Sequence, residues 1–402
     1  LTPPQRLSKL IEVENLFQSP KLVDHRSTDV PLGDSIRMQR SWIIAVLAGL
    51  AWGSSAQATP YAGEFLTMGI GARALGMGGA FVGVVDDASA TYWNPAALPR
   101  INHREAIYMH AEQFSDLVNY DSAALVLRAR EESNGARSAI GLGFIMLSVP
   151  GIMFTTTDPE ILQRIESGSD GDFNTIDPDG SQGNGHWEYS DGERLDLDLL
   201  ADTANEVTDR ELALFLSYGR SKVFADQLSF GGSVKFVRKS IDDFSAWGMG
   251  LDVAALYQLH PRWTVALNLR DATTTFLDWA NTPTEEREFI TPTAKLGTAY
   301  TLPIEALRGT LTGAVDFDWR FEDEGESSTF GMGPASADVR VGLEYFYHKS
   351  FALRLGTERI NDDSNPFTAG AGLRIKRLSF DYAFRNHSDL DETHRISGGV
   401  TF

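Results

Sequence analysis

Three groups of residues have types and spacings that chemistry could use. The first is the run Gly69-Ile70-Gly71-Ala72-Arg73-Ala74-Leu75-Gly76-Met77-Gly78-Gly79-Ala80-Phe81-Val82. Glycines so spaced cradle phosphates when they follow a strand and open a helix within a βαβ unit. This run lacks that setting, so a dinucleotide loop is not expected. The second group is Asp170-Gly171-Asp172-Phe173-Asn174 with Asp177-Pro178-Asp179-Gly180. Clustered oxygen ligands suit calcium, but Thr175 stands where an EF-hand loop needs its glycine and Ser181 where it needs its glutamate. A solvated acidic loop over residues 151–210, with divalent ions shared with lipopolysaccharide as an open alternative, is the expectation. The third group is the eight histidines. None forms a His-Glu-x-x-His pair or a nucleophile elbow. A Ser-His-Asp grouping assembled across strands stays open, but the residues predict no enzyme, no metal and no cofactor.

Composition narrows the classes further. The chain of 402 residues carries 35 Lys and Arg against 55 Asp and Glu, a net charge of -20. Nucleic acid, which needs a basic footprint, is therefore excluded as a partner. The absence of cysteine removes thiolate chemistry and suits passage through an oxidising periplasm. Arg37 and Arg40 flank Met38, an apolar stretch runs from Trp42 to Trp52, and Ala56-Gln57-Ala58 supplies small residues for cleavage. This predicts a signal peptide over 38–58, Met38 as the initiator, residues 1–37 as a disordered or untranslated extension, and a mature chain from Thr59. Six basic and five acidic residues lie before Thr59, leaving 29 against 50, so the acidity belongs to the mature protein.

The elements that must position anything else alternate with a period of two. Leu378, Phe380, Tyr382 and Phe384 face one way; Ser379, Asp381, Ala383 and Arg385 face the other. Val315, Phe317 and Trp319 likewise oppose Asp316, Asp318 and Arg320, and Val339, Val341, Leu343, Tyr345 and Tyr347 oppose Arg340, Gly342 and Glu344. Fourteen such segments are expected, with cores at 104–111, 119–129, 138–149, 211–220, 228–239, 246–258, 262–270, 293–301, 309–320, 338–347, 350–359, 367–376, 378–386 and 394–402. Most approach the nine to eleven residues that cross a bilayer at a tilt. Short connections at 223–226, 260–261, 348–349 and 376–377 alternate with long polar ones around 150–210, 271–292, 321–337, 360–366 and 387–393. That rhythm predicts an all-β, fourteen-stranded antiparallel transmembrane barrel with short periplasmic turns, located in the outer membrane and in contact with its lipid and lipopolysaccharide. Trp247, Trp263, Tyr300, Trp319, Tyr345, Tyr347 and Phe402 are expected in its aromatic girdles. The terminal Phe402, with Ile396 and Val400 on its face, is expected to serve as an assembly signal.

Gly71 to Leu98, with its Gly-Ala-Arg-Ala-Leu-Gly-Met-Gly-Gly-Ala-Phe core and Tyr92-Trp93-Asn94-Pro95-Ala96-Ala97-Leu98 end, resembles the N-terminal region of the PorV/PorQ family, a branch of the FadL-like barrels. Asn94-Pro95-Ala96 is not read as an aquaporin motif, because transmembrane half-helices are lacking. Ala371-Gly372-Leu373-Arg374-Ile375, Asp381-Tyr382-Ala383 and Thr393-His394-Arg395-Ile396-Ser397 resemble the same family. The resemblance implies a glycine-rich hatch over 59–102 inside a barrel of 103–402. Gly71, Arg73, Gly76, Gly78, Gly79, Asp86, Asp87, Asn94, Pro95 and Ala96 are then the candidate hatch and gating residues. Independently of the family, glycines allow close packing on a wall, Asn94-Pro95 favours a turn, and Arg73, Asp86 and Asp87 call for lumen partners such as Asp316, Glu344 or Arg374. The PorV-like resemblance implies a component of type IX secretion that holds cargo C-terminal domains beside a translocon. As the alternative, the FadL-like architecture implies a passive transporter of hydrophobic molecules such as fatty acids; inward charges at Asp316, Asp318, Glu344, Arg340 and Lys235 speak against a greasy channel and favour the secretion reading.

Overall fold

The computed structural model describes residues 62–402 except 114–116, 128–129, 155–203, 283–286, 322–327, 332–334, 359–366 and 387–391. The expected signal peptide, the segment before it and most of the acidic loop lie outside the described residues. Fourteen strands follow one another: β1 (Glu105–Gln113), β2 (Val118–Val126), β3 (Arg137–Phe154), β4 (Asn205–Arg220), β5 (Leu228–Ile241), β6 (Phe244–His260), β7 (Trp263–Arg270, resumed as Thr275–Ala280), β8 (Arg287–Ile290, resumed as Thr293–Ile304), β9 (Gly309–Arg320), β10 (Ser336–Tyr347), β11 (Phe351–Thr357), β12 (Phe367–Ile375), β13 (Leu378–Arg385) and β14 (Thr393–Thr401). Each pairs antiparallel with its neighbours, and β1 pairs with β14 from Glu105↔Thr401 to Glu112↔His394. The sheet is thereby closed, with no edge strand left to satisfy.

Alternation decides what each face meets. Side chains from Leu353 (65% exposed), Leu355 (60%) and Ile396 (63%) point outward with nothing packed over them, while Asp316, Asp318 and Lys235 on the opposite parity are buried. A soluble sandwich would cover the greasy face with a second layer; here it is left for lipid. Among the described residues no helix is long and apolar enough to cross a membrane. Spanning by strands is the form that leaves no backbone group unpaired in hydrocarbon. The chain is an outer-membrane β-barrel.

The two ends differ largely as the connection lengths predict, with the tight turn between Ile241 and Phe244 as the exception at the long-loop end. His348 (φ 48°) and Lys349 (φ 55°) make a tight reversal between β10 and β11 without the usual Asn-Gly pair. This turn lies at the same end as Phe402, whose amide donates to the Arg104 carbonyl at 3.0 Å. Outward aromatics mark both levels: Trp263, Tyr300, Tyr347, Phe351 and Phe402 at the short-turn end, Trp247, Phe276 and Phe367 at the other. Trp319 and Tyr345 share the outward face but are half-covered, Tyr345 donating to the Leu307 carbonyl at 2.6 Å.

Glycines on the inward face give the lumen wall its relief. Gly342 and Gly356 are direct partners on β10 and β11, as are Gly219 and Gly231 on β4 and β5. A Cβ on Gly356 would lie 2.3 Å from the Met77 carbonyl carbon, and one on Gly231 2.3 Å from that of Pro95. Each pair is therefore a flat seat for main chain that precedes the first strand. Gly356→Leu should lower the thermal midpoint and destabilise the barrel by about 1–3 kcal/mol or more, whereas Gly313→Leu, on the lipid-facing parity, should do little. Heat-modifiable gel migration across a temperature series checks this; equal midpoints for the two variants would contradict the seat.

Candidate functional site

Residues 62–101 touch the inward faces of strands on opposite sides of the closed ring, and so lie within it. Ala72 N donates to Ser397 Oγ of β14 at 2.7 Å, and Phe81 N and Val82 N donate to Asp316 Oδ2 of β9 at 2.7 and 2.8 Å. Asn268 of β7 donates to the Trp93 carbonyl at 3.0 Å, and Ser217 of β4 to that of Thr91 at 3.2 Å. Only four short helical pieces occur here, Glu64–Leu66, Ala72–Leu75, Ala90–Trp93 and Pro95–Arg100. Irregular chain leaves many main-chain groups unpaired, and in a lumen the wall side chains must supply the partners.

The expected gating residues fall into two uses. Arg73 is the electrostatic centre: it donates through Nε and Nη2 to Glu344 of β10, each at 2.9 Å, and through Nη1 to Asp86 at 2.5 Å and Asp87 at 3.0 Å. Burial alone would lower its pKa, but Asp86, Glu344 and Asp87 outweigh it and hold the guanidinium well above its ordinary value. Glu344 is shared with Arg354 of β11 at 2.7 Å, and Arg354 reaches Asp381 of β13 at 2.8 Å. The chain of charges thus joins the inner segment to three strands. Of the three expected partners Glu344 alone pairs with Arg73. Asp316 is occupied by the Phe81 and Val82 amides, and Arg374 lies over the Phe346 ring at 4.7 Å.

The remaining expected residues shape main chain. Gly71 (φ 80°) precedes the helical turn that carries Arg73, Gly76 lies against Gly370, and Gly79 leaves room for Arg340. Gly78 requires its glycine most, since φ is 65° and a Cβ would stand 2.5 Å from the Thr357 carbonyl oxygen. Asn94 caps the following 3-10 helix by accepting from Ala96 N at 3.0 Å, with Pro95 at its first position. The expected turn at Asn94-Pro95 is thus a helix start, because the asparagine side chain takes the orphan amide.

Alternation places Lys235, Asp318 and Arg340 inward, but their pairings escape sequence reasoning. Lys235, fully buried, pairs with Asp252 at 2.9 Å and Asp271 at 2.8 Å. Lys295 pairs with Asp318, which Arg340 also reaches at 2.8 Å. Inward parity was the available signal, but it identifies the face and not which charge on the next strand, or beyond it in the case of Asp271, is the partner. Arg395 is 1% exposed, and its Nε and Nη1 find no hydrogen-bond partner among the described residues; neither do Arg385 Nε and Gln113 Nε2 on adjoining strands. Elsewhere the wall is apolar: Met109, Tyr120, Ile145, Leu147, Phe215 and Val237 join Phe65 and Leu66 in one buried cluster. A shallow recess between the inner segment and the wall is bordered by Arg73, Asp87, Glu105, Arg374, Asp381 and Ser397. Among the described residues no group of three or more His, Asp or Glu side chains could hold a metal ion.

Removing the Arg73 side chain leaves Asp86 and Asp87 without their cation, while Arg354 still holds Glu344. Arg73→Ala should therefore cost about 3 kcal/mol, the low end for stranding a buried ion, expressed as faster hydrogen exchange of the amides from Ala72 to Ser89. Unchanged protection there would show that the glycine seats, and not the ion pairs, hold the segment.

No family model matches the chain. No curated protein matches it either, so the PorV/PorQ resemblance finds no support at the level of sequence. Solved structures do match. The toluene transporter TbuX of Ralstonia pickettii superposes with a TM-score of 0.50 at 14% identity, over 83% of this chain and 98% of that one. The Pseudomonas putida toluene transporter TodX gives 0.44 at 13% identity, over 83% and 97%, and a FadL homologue of Pseudomonas aeruginosa gives 0.42 at 14%, over 81% and 96%. At such identity the likeness speaks for the fold alone: a closed, fourteen-stranded antiparallel barrel.

Proposed function

We propose that this barrel is a non-catalytic, passive conduit for small hydrophobic molecules, with residues 59–102 as its hatch. The observation that carries the reading is the apolar sector of the lumen wall. Inward side chains of β1 to β5 at the long-loop half, Met109, Tyr120, Ile145, Leu147, Phe215 and Val237, form a surface that a greasy solute can wet. In this state Phe65 and Leu66 cover it, with Tyr120 Oη donating to the Phe65 carbonyl at 3.1 Å. The fold is shared with a protein named as a toluene transporter, which agrees with an apolar cargo. Arg73, Asp86 and Asp87 then latch the hatch, and Gly71, Gly76, Gly78, Gly79, Asn94, Pro95 and Ala96 give it the main-chain shape that fits the wall.

The polar end of a cargo also has a place. Leu147 adjoins Glu211 and Tyr120, Tyr120 faces Ala111, and Ala111 faces Arg395, so apolar wall passes into unpaired cationic donors along one register row. Glu358 acts on Arg395 electrostatically, but buried guanidinium donors without a hydrogen-bond partner are costly, and a fatty-acid head group would satisfy them. Vesicles carrying the protein should take up both toluene and a long-chain fatty acid. Arg395→Leu should slow the fatty acid about tenfold, the worth of one charge-assisted hydrogen bond, and leave toluene unchanged. Absence of uptake of either solute by the wild-type chain would sink the conduit reading.

A second reading keeps the barrel as a secretion component that holds cargo C-terminal domains beside a translocon. Its support is the density of ion pairs around the inner segment, from Arg73 and Glu344 to Lys235 and Asp252, which suits a closed lumen. Affinity purification from intact membranes separates the two: a large translocon or cargo domains favour secretion, a lipid-like ligand favours transport. For either role Phe402 is proposed as the assembly signal. Deleting it should reduce the heat-modifiable form in membranes, and undiminished assembly would remove that role.

A further inference from the structure

The outward face carries one row of charge at odds with its surroundings. Register places Leu212 of β4 beside Arg238 of β5, Arg238 beside Trp247 of β6, Trp247 beside Asp278 of β7 and Asp278 beside Arg287 of β8. Arg210 faces Ser240 one outward position nearer the long loops. That all three arginines point to the lipid side follows from their neighbours, since Val237 and Leu277 are buried, and Lys239 turns inward to Glu211 at 2.8 Å and Glu288 at 3.8 Å. In a chain of net charge -20, whose lumen cations are largely paired, three outward arginines in one sector are a local reversal of sign.

We propose that Arg210, Arg238 and Arg287 form a binding site for the phosphate groups of an outer-leaflet glycolipid, the phosphorylated head of lipopolysaccharide. Depth agrees with this partner, because exposed Trp247 stands in the same row and girdle aromatics mark the head-group level. Spacing agrees as well. Diagonal neighbours on paired strands lie about 7–8 Å apart, so the guanidinium forks of Arg210 and Arg238 can converge on one phosphate. Arg287 stands three strands from Arg238, roughly 14 Å away at ordinary strand spacing, within reach of a second phosphate on the same head group. Neither Arg210 nor Arg238 has an ion-pair partner among the described residues. Arg287 is held in place by Asp278 at 2.5 Å and by the Phe276 ring at 5.0 Å. Of the other nearby carboxylates, Asp209 has the inward parity and lies in the field of Lys239, and Glu206 on β4 and Asp242 and Asp243 in the β5–β6 turn lie at least four residues from their strand's arginine towards the loops.

A lipid fits better than free phosphate. The site is on a convex wall with no pocket to enclose a small ion, whereas acyl chains below the head group would lie on exposed Leu214, Phe236, Met249 and Leu251. Attraction at the membrane surface is worth about fivefold per arginine, on the order of twenty-fivefold for Arg210 and Arg238, with Arg287, already paired to Asp278, adding less.

Bisphosphorylated lipid A and its dephosphorylated form, each titrated in detergent against the full-length protein and followed by native mass spectrometry, provide the test. The wild-type chain should prefer the phosphorylated lipid by one to two orders of magnitude. Arg210→Gln, Arg238→Gln and Arg287→Gln combined should erase the preference while keeping heat-modifiable migration, and Arg377→Gln at the short-turn end should leave it intact. Equal binding of the two lipids by the wild-type chain would overturn the proposal. So would complete competition by inorganic phosphate at millimolar concentration, which would show a site for a free anion. Should the triple variant fail to fold, Arg238→Lys supplies the reading: it keeps the charge but loses the fork, and full retention of the phosphate preference would reduce the site to bulk charge.

Discussion

Everything in this molecule depends on the ladder that joins β1 to β14. With that seam made, no described strand of the ring has an open edge, and the ladders rather than lipid satisfy the main chain of the wall. Closure also turns a period of two into an inside and an outside. Leucine, phenylalanine and tyrosine on one parity meet hydrocarbon, and aspartate, lysine and arginine on the other meet a confined space where water is scarce. The interior is then obliged to neutralise itself, which is why its charges come as linked sets such as Lys235 with Asp252 and Asp271, or Arg354 between Glu344 and Asp381.

The chain inside the ring is a second answer to the same constraint. It is too irregular to pair its own amides and carbonyls, and it borrows Ser397, Asp316, Asn268 and Ser217 from the wall. In return its hydrophobic residues, among them Phe65, Leu75, Phe81 and Trp93, build a core in a space that the strands alone could not fill. Aromatic contacts such as Phe81 against Trp93, with ring centres 6.0 Å apart, tie the turns of that chain to one another where helix is too short to do so.

Most of the wall was legible in the sequence. Val315, Phe317 and Trp319 against Asp316, Asp318 and Arg320 is the pattern of a strand, and each of the fourteen expected segments overlaps a strand; the connection expected over 271–292 is instead largely strand, at Thr275–Ala280 and Arg287–Ile290, where pairing with β6 and with each other extends the wall. The lumen was less legible, for a physical reason. Parity says that Glu344 and Asp316 point inward, but which meets the Arg73 guanidinium and which meets main-chain amides depends on shear and on the depth of the inner segment, neither of which is local. The paired glycines Gly342 and Gly356 were hidden for the opposite reason. A glycine in a strand usually weakens it, and only the seated Met77 backbone shows why side chains are excluded there. Arg395 reads in sequence as one more inward charge; that its Nε and Nη1 find no hydrogen-bond partner among the described residues becomes visible only when its neighbours are known.

The glycine seats carry a consequence for the order of events in biogenesis. Main chain lies on main chain at Gly219 and Gly231 on one side and at Gly342 and Gly356 on the other, with clearances smaller than a methyl group. A finished cylinder gives no slack for threading such a tightly gripped guest. The strands must zip up around a segment already in position, so the part of the polypeptide that leads the strands is also the mandrel on which they are wound.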